Sequence, residues 1–225
     1  MKLTKASRDI VVPPVLSDSH RDALMGLATP LLSDNMDRLA GVVGLNRYNG
    51  RGKMVGTALT IKTRPGDNLF VYHAMTLMKP GHVLVIDAGG DTTNAILGDI
   101  MKTFCQERGG AGFVVNGAIR DAGEFAASDF PCYAVGVSHR GPYKSGPGYI
   151  GVPVNIGGQV IQPGDIVVGD EDGIVAFSPA QTDDLIQRAT AKRELEQSML
   201  AEIAASRRPA WLYGELEKLG FDLQP

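Results

Sequence analysis

The sequence predicts an α/β fold with a C-terminal helical tail, on three observations. Short apolar runs alternate with amphipathic helical segments between residues 74 and 137, which is the β-α-β-α-β pattern of an α/β unit. From residue 150 onward, short β-branched runs are separated by Gly-Gly, Pro-Gly and Asp-Gly turns, which predict an all-β block. After Pro179, an amphipathic pattern predicts a long helix to about Ala205, and Pro209 begins a short closing helix.

Apolar periodicity and turn residues predict the individual elements. Helices are expected over 20–32, where Pro30 interrupts the pattern, over 35–40, over 67–77, over 95–108 and over 120–127. Strands are expected over 54–62, 83–86, 113–116, 133–137, 152–154, 159–161, 166–168 and 174–176. No linker or low-complexity tract divides the chain. We therefore expect one domain over 1–225, with a core at about 20–180 and a helical extension at about 180–225.

Composition excludes several classes of protein. With 44% hydrophobic and 21% charged residues, the 225-residue chain is not intrinsically disordered. A net charge of −3 argues against nucleic-acid binding through bulk charge. Two cysteines, Cys105 and Cys132, are too few for a disulfide framework or a thiolate zinc site, which favours a reducing cytoplasm. Neither a secretory signal nor an apolar stretch of membrane-spanning length is apparent, so we expect no membrane partner.

The first candidate site is the doublet Arg120-Asp121, directly after the predicted strand that ends near Asn116. Ligands of open α/β sheets collect at the carboxyl ends of strands. There, arginine offers an anion clamp and aspartate offers a hard oxygen ligand. The alternative is a surface ion pair that opens a helix, with the aspartate as its cap.

The second candidate is the segment Gly98-Asp99-Ile100-Met101, interpreted as the first turn of a helix. Free backbone N–H groups at a helix start bind carboxylate or phosphate, and glycine lets the ligand approach closely. The alternative is a capped helix whose glycine serves packing. No dinucleotide fingerprint or P-loop is present, so a nucleotide site is disfavoured.

Other polar groups carry weaker signals. The acidic run 169–173 lacks the spacing of a calcium-binding loop and is interpreted as a turn between two strands. Lys144 lies in a Gly/Pro-rich loop, where it meets either solvent or an anionic substrate. Histidines at metal-ligand spacing and a recognisable nucleophile motif are both missing from the sequence.

The spacing of the two candidate sites indicates a family. Twenty residues separate Asp99 from Arg120, which gives the pattern D-x20-R-D. Together with LSDNMDRLAG, GDNLFVYHAM, KPGHVLVIDAGG, VVNGAIRD and the closing strand block, this pattern resembles the family of regulators of ribonuclease E activity (RraA-like proteins). That family also holds the class II 4-hydroxy-4-methyl-2-oxoglutarate/4-carboxy-4-hydroxy-2-oxoadipate aldolases. The resemblance covers about residues 20–180.

The resemblance implies a fold, an assembly and a set of roles. The implied fold is an α/β/β/α sandwich of the swivelling phosphohistidine-domain type, assembled as a trimer or a dimer of trimers with active sites between subunits. Asp121 would coordinate a divalent metal, Mg²⁺ or Mn²⁺, and Arg120 would bind the pyruvyl oxygens. The amides around Gly98, Asp99, Ile100 and Met101 would hold the substrate carboxylate, and Asp99 would contact metal-bound water. An acid of a neighbouring subunit, Glu196 or else Glu194, would contact that water too.

Two functions from different classes follow from the resemblance. One is a metal-dependent lyase that cleaves a 4-hydroxy-2-oxo acid to pyruvate, with oxaloacetate decarboxylation as a side activity through the same enolate. The other is a non-catalytic protein-binding regulator of ribonuclease activity, in which the site is vestigial. A complete D-x20-R-D pattern and the extra C-terminal helix favour the enzyme. A relative acting on a different 2-oxo acid is a third possibility.

Overall fold

The computed structural model describes residues 10–207 and 209–221. Its strands, in chain order, are β1 (Asn46–Arg47), β2 (Met54–Thr63), β3 (His82–Asp87), β4 (Ala95–Leu97), β5 (Gly112–Ile119), β6 (Cys132–Val137), β7 (Gly148–Ile150), β8 (Val154–Ile156), β9 (Gln159–Ile161), β10 (Ile166–Asp170) and β11 (Gly173–Phe177). Its helices are α1 (Asp18–Met25), α2 (Thr29–Asp34), α3 (Leu69–Leu77), α4 (Asp99–Glu107), α5 (Ala122–Ala126), α6 (Thr182–Ser206) and α7 (Ala210–Lys218).

Nine of the strands form one mixed sheet that curls into a nearly closed barrel. The sheet order is β1-β6-β5-β3-β2-β10-β11, with β4 beside β5 and β7 beside β2. An isolated antiparallel bridge between Val42 and Ile174 joins the segment before β1 to β11, so the two ends of the sheet meet. β2, β3, β5 and β6 run parallel, as the β-α-β pattern predicts. The α/β class is thereby confirmed.

Alternation of side chains along the strands divides the core into an interior and two outer layers. In β3, Val83 and Val85 belong to the interior cluster, to which most strands of the barrel contribute side chains. Leu84 and Ile86 point the other way and belong to the layer under α3, α4 and α5. The β8–β9 hairpin contributes to the interior cluster. A third cluster lies between β10, β11 and the helices α1, α2 and α6. This period of two is the reason the apolar runs read as strands buried on both faces.

Three predicted helices differ in the structure. The helix expected over 20–32 is divided into α1 and α2, and Pro30 lies in the first turn of α2. The predicted helix 95–108 begins instead with β4, and α4 starts only at Asp99, because residues 95–97 pair with the end of β5. No helix covers 35–40: α2 ends at Asp34, and Asp37 and Arg38 both have positive φ. The strand predicted at 152–154 lies two residues later, as β8. None of the described helices is long and apolar enough to cross a membrane.

Candidate active site

The end of β5 and the start of α4 lie side by side. β4 pairs in parallel with β5, and the Arg120 backbone N–H donates to the Leu97 carbonyl oxygen at 2.9 Å. Gly98 follows Leu97 directly and Asp121 follows Arg120, so the two segments meet at the carboxyl ends of neighbouring strands. The twenty residues between Asp99 and Arg120 form the rest of α4, a connecting turn and β5. This path of the chain brings the two predicted sites next to each other.

Asp121 and Arg120 form the charged centre of this junction. Asp121 is the N-cap of α5 with φ of 57°, and its Oδ2 accepts a hydrogen bond from the Asp99 backbone N–H at 3.0 Å. The Arg120 Nε lies 3.7 Å from the same oxygen, and both side chains are 41% exposed. Within the described part of the chain, Asp121 Oδ1 has no hydrogen-bond partner. One carboxylate oxygen therefore stays available to a ligand.

Gly98 makes the close approach of these groups possible. A Cβ at this position would overlap the Asp121 Oδ2 and would lie 2.8 Å from the Arg120 Cγ. The φ of Gly98 is −156°, which any residue can adopt, so space rather than backbone conformation requires glycine here. A larger residue would push the carboxylate and the guanidinium away from the start of α4.

Three of the first four backbone N–H groups of α4 donate hydrogen bonds, and one does not. The first four N–H groups of a helix have no intrahelical partner. Asp99 N–H binds Asp121, while the Met101 and Lys102 N–H groups donate to the Gly98 carbonyl oxygen at 3.1 and 3.0 Å. Among the residues described, the Ile100 N–H is left without a partner, and the Ile100 side chain is exposed. This amide and the positive end of the helix dipole suit a small carboxylate.

A shallow recess of about 30 Å³ lies over these amides. Asn68, Tyr72, Pro142 and Lys144 line it together with the α4 start and Arg120. Asn68 is buried, its amide nitrogen donates to the Ile96 carbonyl oxygen at 3.0 Å, and its Oδ1 has no partner. Asn68 was missed by the sequence reasoning, since nothing local distinguishes it from an ordinary helix start.

The loop that carries Lys144 is tied to the same corner of the fold. The Asp67 carboxylate is fully buried, and its Oδ2 accepts from the N–H groups of Ser145 and Gly146 at 2.7 and 2.9 Å. The Arg120 guanidinium extends toward this loop, because a Cβ on Gly141 would lie 3.2 Å from its Nη1. Lys144 lines the recess and is also exposed, so contact with an anionic substrate and contact with solvent both stay open.

The C-terminal candidates lie elsewhere in the chain. Glu194 and Glu196 are exposed on α6, and α6 packs against α1 and α2. Neither glutamate lines the recess of its own chain. Only a second copy could bring one of them to Gly98, so their role stays a prediction.

The carboxylate oxygens at the recess suit a magnesium site and do not form a structural zinc site. No group of three or more His, Cys, Asp or Glu side chains is clustered for metal binding in the described ranges. A closed structural zinc site is therefore absent there. Asp121 Oδ1 with the nearby Asp99 carboxylate is the oxygen-rich, water-dependent arrangement that Mg²⁺ accepts.

A second cavity in the described part of the chain is much larger than this recess. It measures about 770 Å³ and lies between residues 11–17, the turn 162–166 and the start of α6. Burial there raises the pKa of the Asp165 carboxyl. No arginine or lysine lines this cavity, and so it lacks the acid–cation constellation found beside Gly98. The chemistry points to the recess in spite of its small volume.

The chain is similar to known proteins of one family. A family model described as RraA-like, Aldolase/RraA, matches residues 29–176. A protein of Halalkalibacterium halodurans named "Putative 4-hydroxy-4-methyl-2-oxoglutarate aldolase" is 40% identical over 168 residues, covering 74% of this chain and 80% of its own.

Two solved structures of RraA proteins share the fold. RraAS2 of Streptomyces coelicolor, described as an unusual member of the RNase ES inhibitor RraA family, has a TM-score of 0.76 at 25% identity and covers 83% of this chain and 99% of its own. The RNA-processing inhibitor RraA from Thermus thermophilis has a TM-score of 0.62 at 30% identity and covers 67% and 92%. The family model matches well over half of the chain, and the chain therefore belongs to the RraA-like family.

Proposed function

We propose that this protein is a divalent-metal-dependent class II aldolase that cleaves a 4-hydroxy-2-oxo acid of the 4-hydroxy-4-methyl-2-oxoglutarate type. The products are pyruvate and a second carbonyl compound, and oxaloacetate is decarboxylated as a side reaction. One observation carries the proposal: an arginine, a carboxylate with a free oxygen and an unpaired helix amide converge at Gly98, where the missing side chain lets them approach each other closely. The family membership supports it.

The residues fit the metal that such an aldolase uses. Asp121 would hold Mg²⁺ or Mn²⁺ through Oδ1, with Asp99 binding a coordinated water, because Mg²⁺ keeps several waters and needs only one or two carboxylates. When bound, the metal supplies Lewis-acid polarisation of the 2-oxo group and stabilises the enolate charge. This chemistry replaces a Schiff-base lysine.

The chain's own groups would bind and orient the pyruvyl half of the substrate. The Ile100 N–H and the positive end of α4 hold the carboxylate, next to Gly98. The Arg120 guanidinium donates to the pyruvyl oxygens, where negative charge grows as the enolate forms. A fixed donor of this kind lowers a barrier by about 2.7–4 kcal/mol in comparable oxyanion sites.

Cleavage requires a proton to leave the 4-hydroxyl group. A water held at the Asp99 carboxylate accepts that proton, the C3–C4 bond breaks, C4 becomes a carbonyl carbon, and the electron pair enters the pyruvate enolate. Protonation at C3 then yields pyruvate. In oxaloacetate the same bond breaks with release of carbon dioxide and gives the same enolate, which accounts for the side activity.

We propose further that the active protein is a trimer or a dimer of trimers, with each site completed by a neighbour. The recess of about 30 Å³ in a single chain is far smaller than pockets of roughly 300–1,000 Å³ that enclose small ligands. Glu196 or Glu194 of the neighbouring copy would supply the missing wall. A single swivelling-domain unit over 1–225 and a cytoplasmic location complete this proposal.

The competing function is a protein-binding regulator like the RNA-processing inhibitor it resembles. A regulator binds through its surface and needs neither the close approach that Gly98 allows nor a free Asp121 oxygen. The two functions are separated by measuring pyruvate release from 4-hydroxy-4-methyl-2-oxoglutarate and from oxaloacetate, with Mg²⁺ and with a chelator. Blanks without protein correct for spontaneous decarboxylation. Metal-dependent pyruvate supports the aldolase. Its absence with both substrates supports either the regulator or an enzyme that acts on a different 2-oxo acid.

A further inference from the structure

Lys102 is a nearly buried lysine in the second turn of α4, directly beneath the proposed site. It is 7% exposed, its Nζ lies 2.8 Å from the Asp99 Oδ1, and the same Nζ donates to the Glu124 carbonyl oxygen at 2.8 Å. The amine also stands 5.4 Å from the centre of the Phe125 ring. Lysine is almost never this buried unless it is paired, so these contacts fix one geometry.

These contacts link the two elements that carry the site. Asp99 is the first residue of α4, and Glu124 belongs to α5, whose N-cap is Asp121. A second link between the same elements is the Asp99 N–H donating to Asp121 Oδ2. Lys102 therefore sets how far the start of α4 stands from the carboxylate proposed to hold the metal.

The charge of Lys102 also matters, because two carboxylates share this corner. The Asp121 carboxylate accepts from the Asp99 backbone, which brings two like charges close together. Arg120 lies beside one carboxylate and Lys102 beside the other, so the four formal charges sum to zero. The Asp99 side chain is still 41% exposed, which leaves its second oxygen accessible.

We propose that Lys102 is a positioning residue of the active site. It holds Asp99 Oδ1, so that Oδ2 is the oxygen presented to water, and it locks α4 to α5. It acts through Asp99 and does not touch the substrate. The inference rests on the proposed aldolase function and adds to it a residue outside the D-x20-R-D pattern.

The test compares K102M, which removes the charge at similar length, with K102R, which retains it. We expect kcat for pyruvate release to fall roughly 10- to 100-fold in K102M, because small misplacements of catalytic groups have effects of this size. KM should change less than about threefold, since Arg120 and the α4 amides still bind the pyruvyl half. K102R should recover part of the loss. If K102M does not fold, K102Q replaces it.

The matched control is K53M. Lys53 is half-buried and donates to the backbone carbonyls of Met25 and Leu27 on another face of the protein. Burial lowers the pKa of its amine. K53M should lose stability but keep kcat, and a K102M protein that behaves in the same way would overturn the positioning role.

A double-mutant cycle with D99N shows whether Lys102 acts through Asp99. In the D99N background, K102M should change kcat by less than about threefold, whereas independent effects would multiply. Effects of K102M and D99N on kcat that multiply fully overturn the proposal.

The same four proteins are also compared by their unfolding equilibrium constants in urea, a measurement that needs no activity. If the wild type releases no pyruvate, the aldolase function fails, and this second cycle alone decides whether Lys102 holds Asp99: non-additive unfolding constants support it and additive ones overturn it.

Discussion

Asp121 lies two residues beyond the end of β5 and Asp170 is the last residue of β10, yet the fold satisfies the carboxylate of Asp170 and leaves that of Asp121 partly unpaired. Asp170 is 5% exposed, and its oxygens accept from the Thr29 N–H at 2.8 Å, from the Thr29 hydroxyl at 2.5 Å and from the Asp172 N–H at 3.1 Å. Asp121 is 41% exposed, accepts one backbone hydrogen bond and keeps one oxygen free.

The difference lies in where the donors come from. Around Asp170 the chain provides them: the β10–β11 hairpin closes at Asp170 and Gly173, and the start of α2 is fastened to it. Prediction of 169–173 as a turn is confirmed. Around Asp121 the neighbouring groups are the Arg120 guanidinium and the start of α4. Both retain N–H groups without an acceptor in the described part of the chain. A carboxylate saturated by the fold holds structure, and one left unsaturated is available for chemistry.

The largest expected effect is the loss of activity when the Asp121 carboxylate is removed. D121N should reduce metal-dependent pyruvate release by on the order of 10³-fold or more, because several kcal/mol of Lewis-acid stabilisation depend on metal binding. Its unfolding midpoint in urea should stay near that of the wild type, since the side chain is half-exposed. D22N, at an exposed aspartate that pairs with Arg21, is the control. Near-normal Mg²⁺-dependent turnover in D121N would remove Asp121 as the ligand.

The next effect concerns the arginine beside the open carboxylate. R120A should lower kcat roughly 10²-fold, as the loss of an oxyanion-stabilising donor does. R120K keeps the charge but loses the planar fork, and we expect it to be impaired too, though less. Steady-state kinetics with oxaloacetate measure both variants. A rise in KM with kcat untouched would mean that Arg120 anchors the substrate without stabilising the enolate.

At the saturated carboxylate the expected effect is on folding. D170N leaves an amide facing three donors, and hydrogen bonds to charged groups contribute about 1.5–3 kcal/mol each. We expect the free energy of unfolding in urea to fall by about 2–4 kcal/mol, while kcat per folded molecule stays unchanged. Loss of activity at full stability would contradict the assignment of Asp170 to structure.

The smallest effect is a pH dependence of stability from a buried imidazole. His82 Nδ1 accepts from the Lys79 N–H at 3.0 Å and Nε2 faces the Pro13 carbonyl oxygen at 3.1 Å, so the ring is neutral with its proton on Nε2. Burial lowers the pKa of His82, with a smaller contribution from Lys79. The unfolded chain then binds more protons below about pH 6.5.

Stability from this source is fully present above pH 6.5 and decreases as the pH falls toward the lowered pKa of the folded state. Thermal unfolding of the wild type between pH 7.5 and 5.5 should show this decrease, and H82Q should show a flatter slope. H139Q, at an exposed histidine, is the control. A slope unchanged in H82Q would assign the acid sensitivity to other groups.

Local sequence signals predicted the parts of the fold that local physics determines. The run 83–86 is continuous apolar sequence bounded by turns, and it is β3. Gly98 and Asp99 stand at a helix start, as expected, because glycine and a following acidic residue favour one. Residues 95–97 were assigned to the helix since nothing in Ala-Ile-Leu distinguishes a strand; only pairing with β5 makes them one.

The candidate site also contains residues that a sequence pattern marks and residues that only long-range contacts bring there. Arg120, Asp121 and the 98–101 segment were predicted because a fixed spacing marks them. Asn68 was missed, since it reaches the recess only through the packing of α3 on β4. Lys102 carries no motif either, and its burial depends on contacts 22 residues away along the chain. Long-range contacts of this kind have no signature in a single sequence.

Closure of the barrel has a consequence for the order in which the molecule is made. Val42 and Ile174, which join the two ends of the sheet, are separated by more than half of the sequence. During synthesis, β2 has no partner on one side until β7 and β10 have left the ribosome. We expect closure to be a late and slow event, in the range of milliseconds to seconds typical of topologies rich in distant contacts. Until then the nascent chain exposes the unpaired edge of a ten-residue strand in which half of the residues are apolar, and we expect it to be most prone to aggregate at this stage.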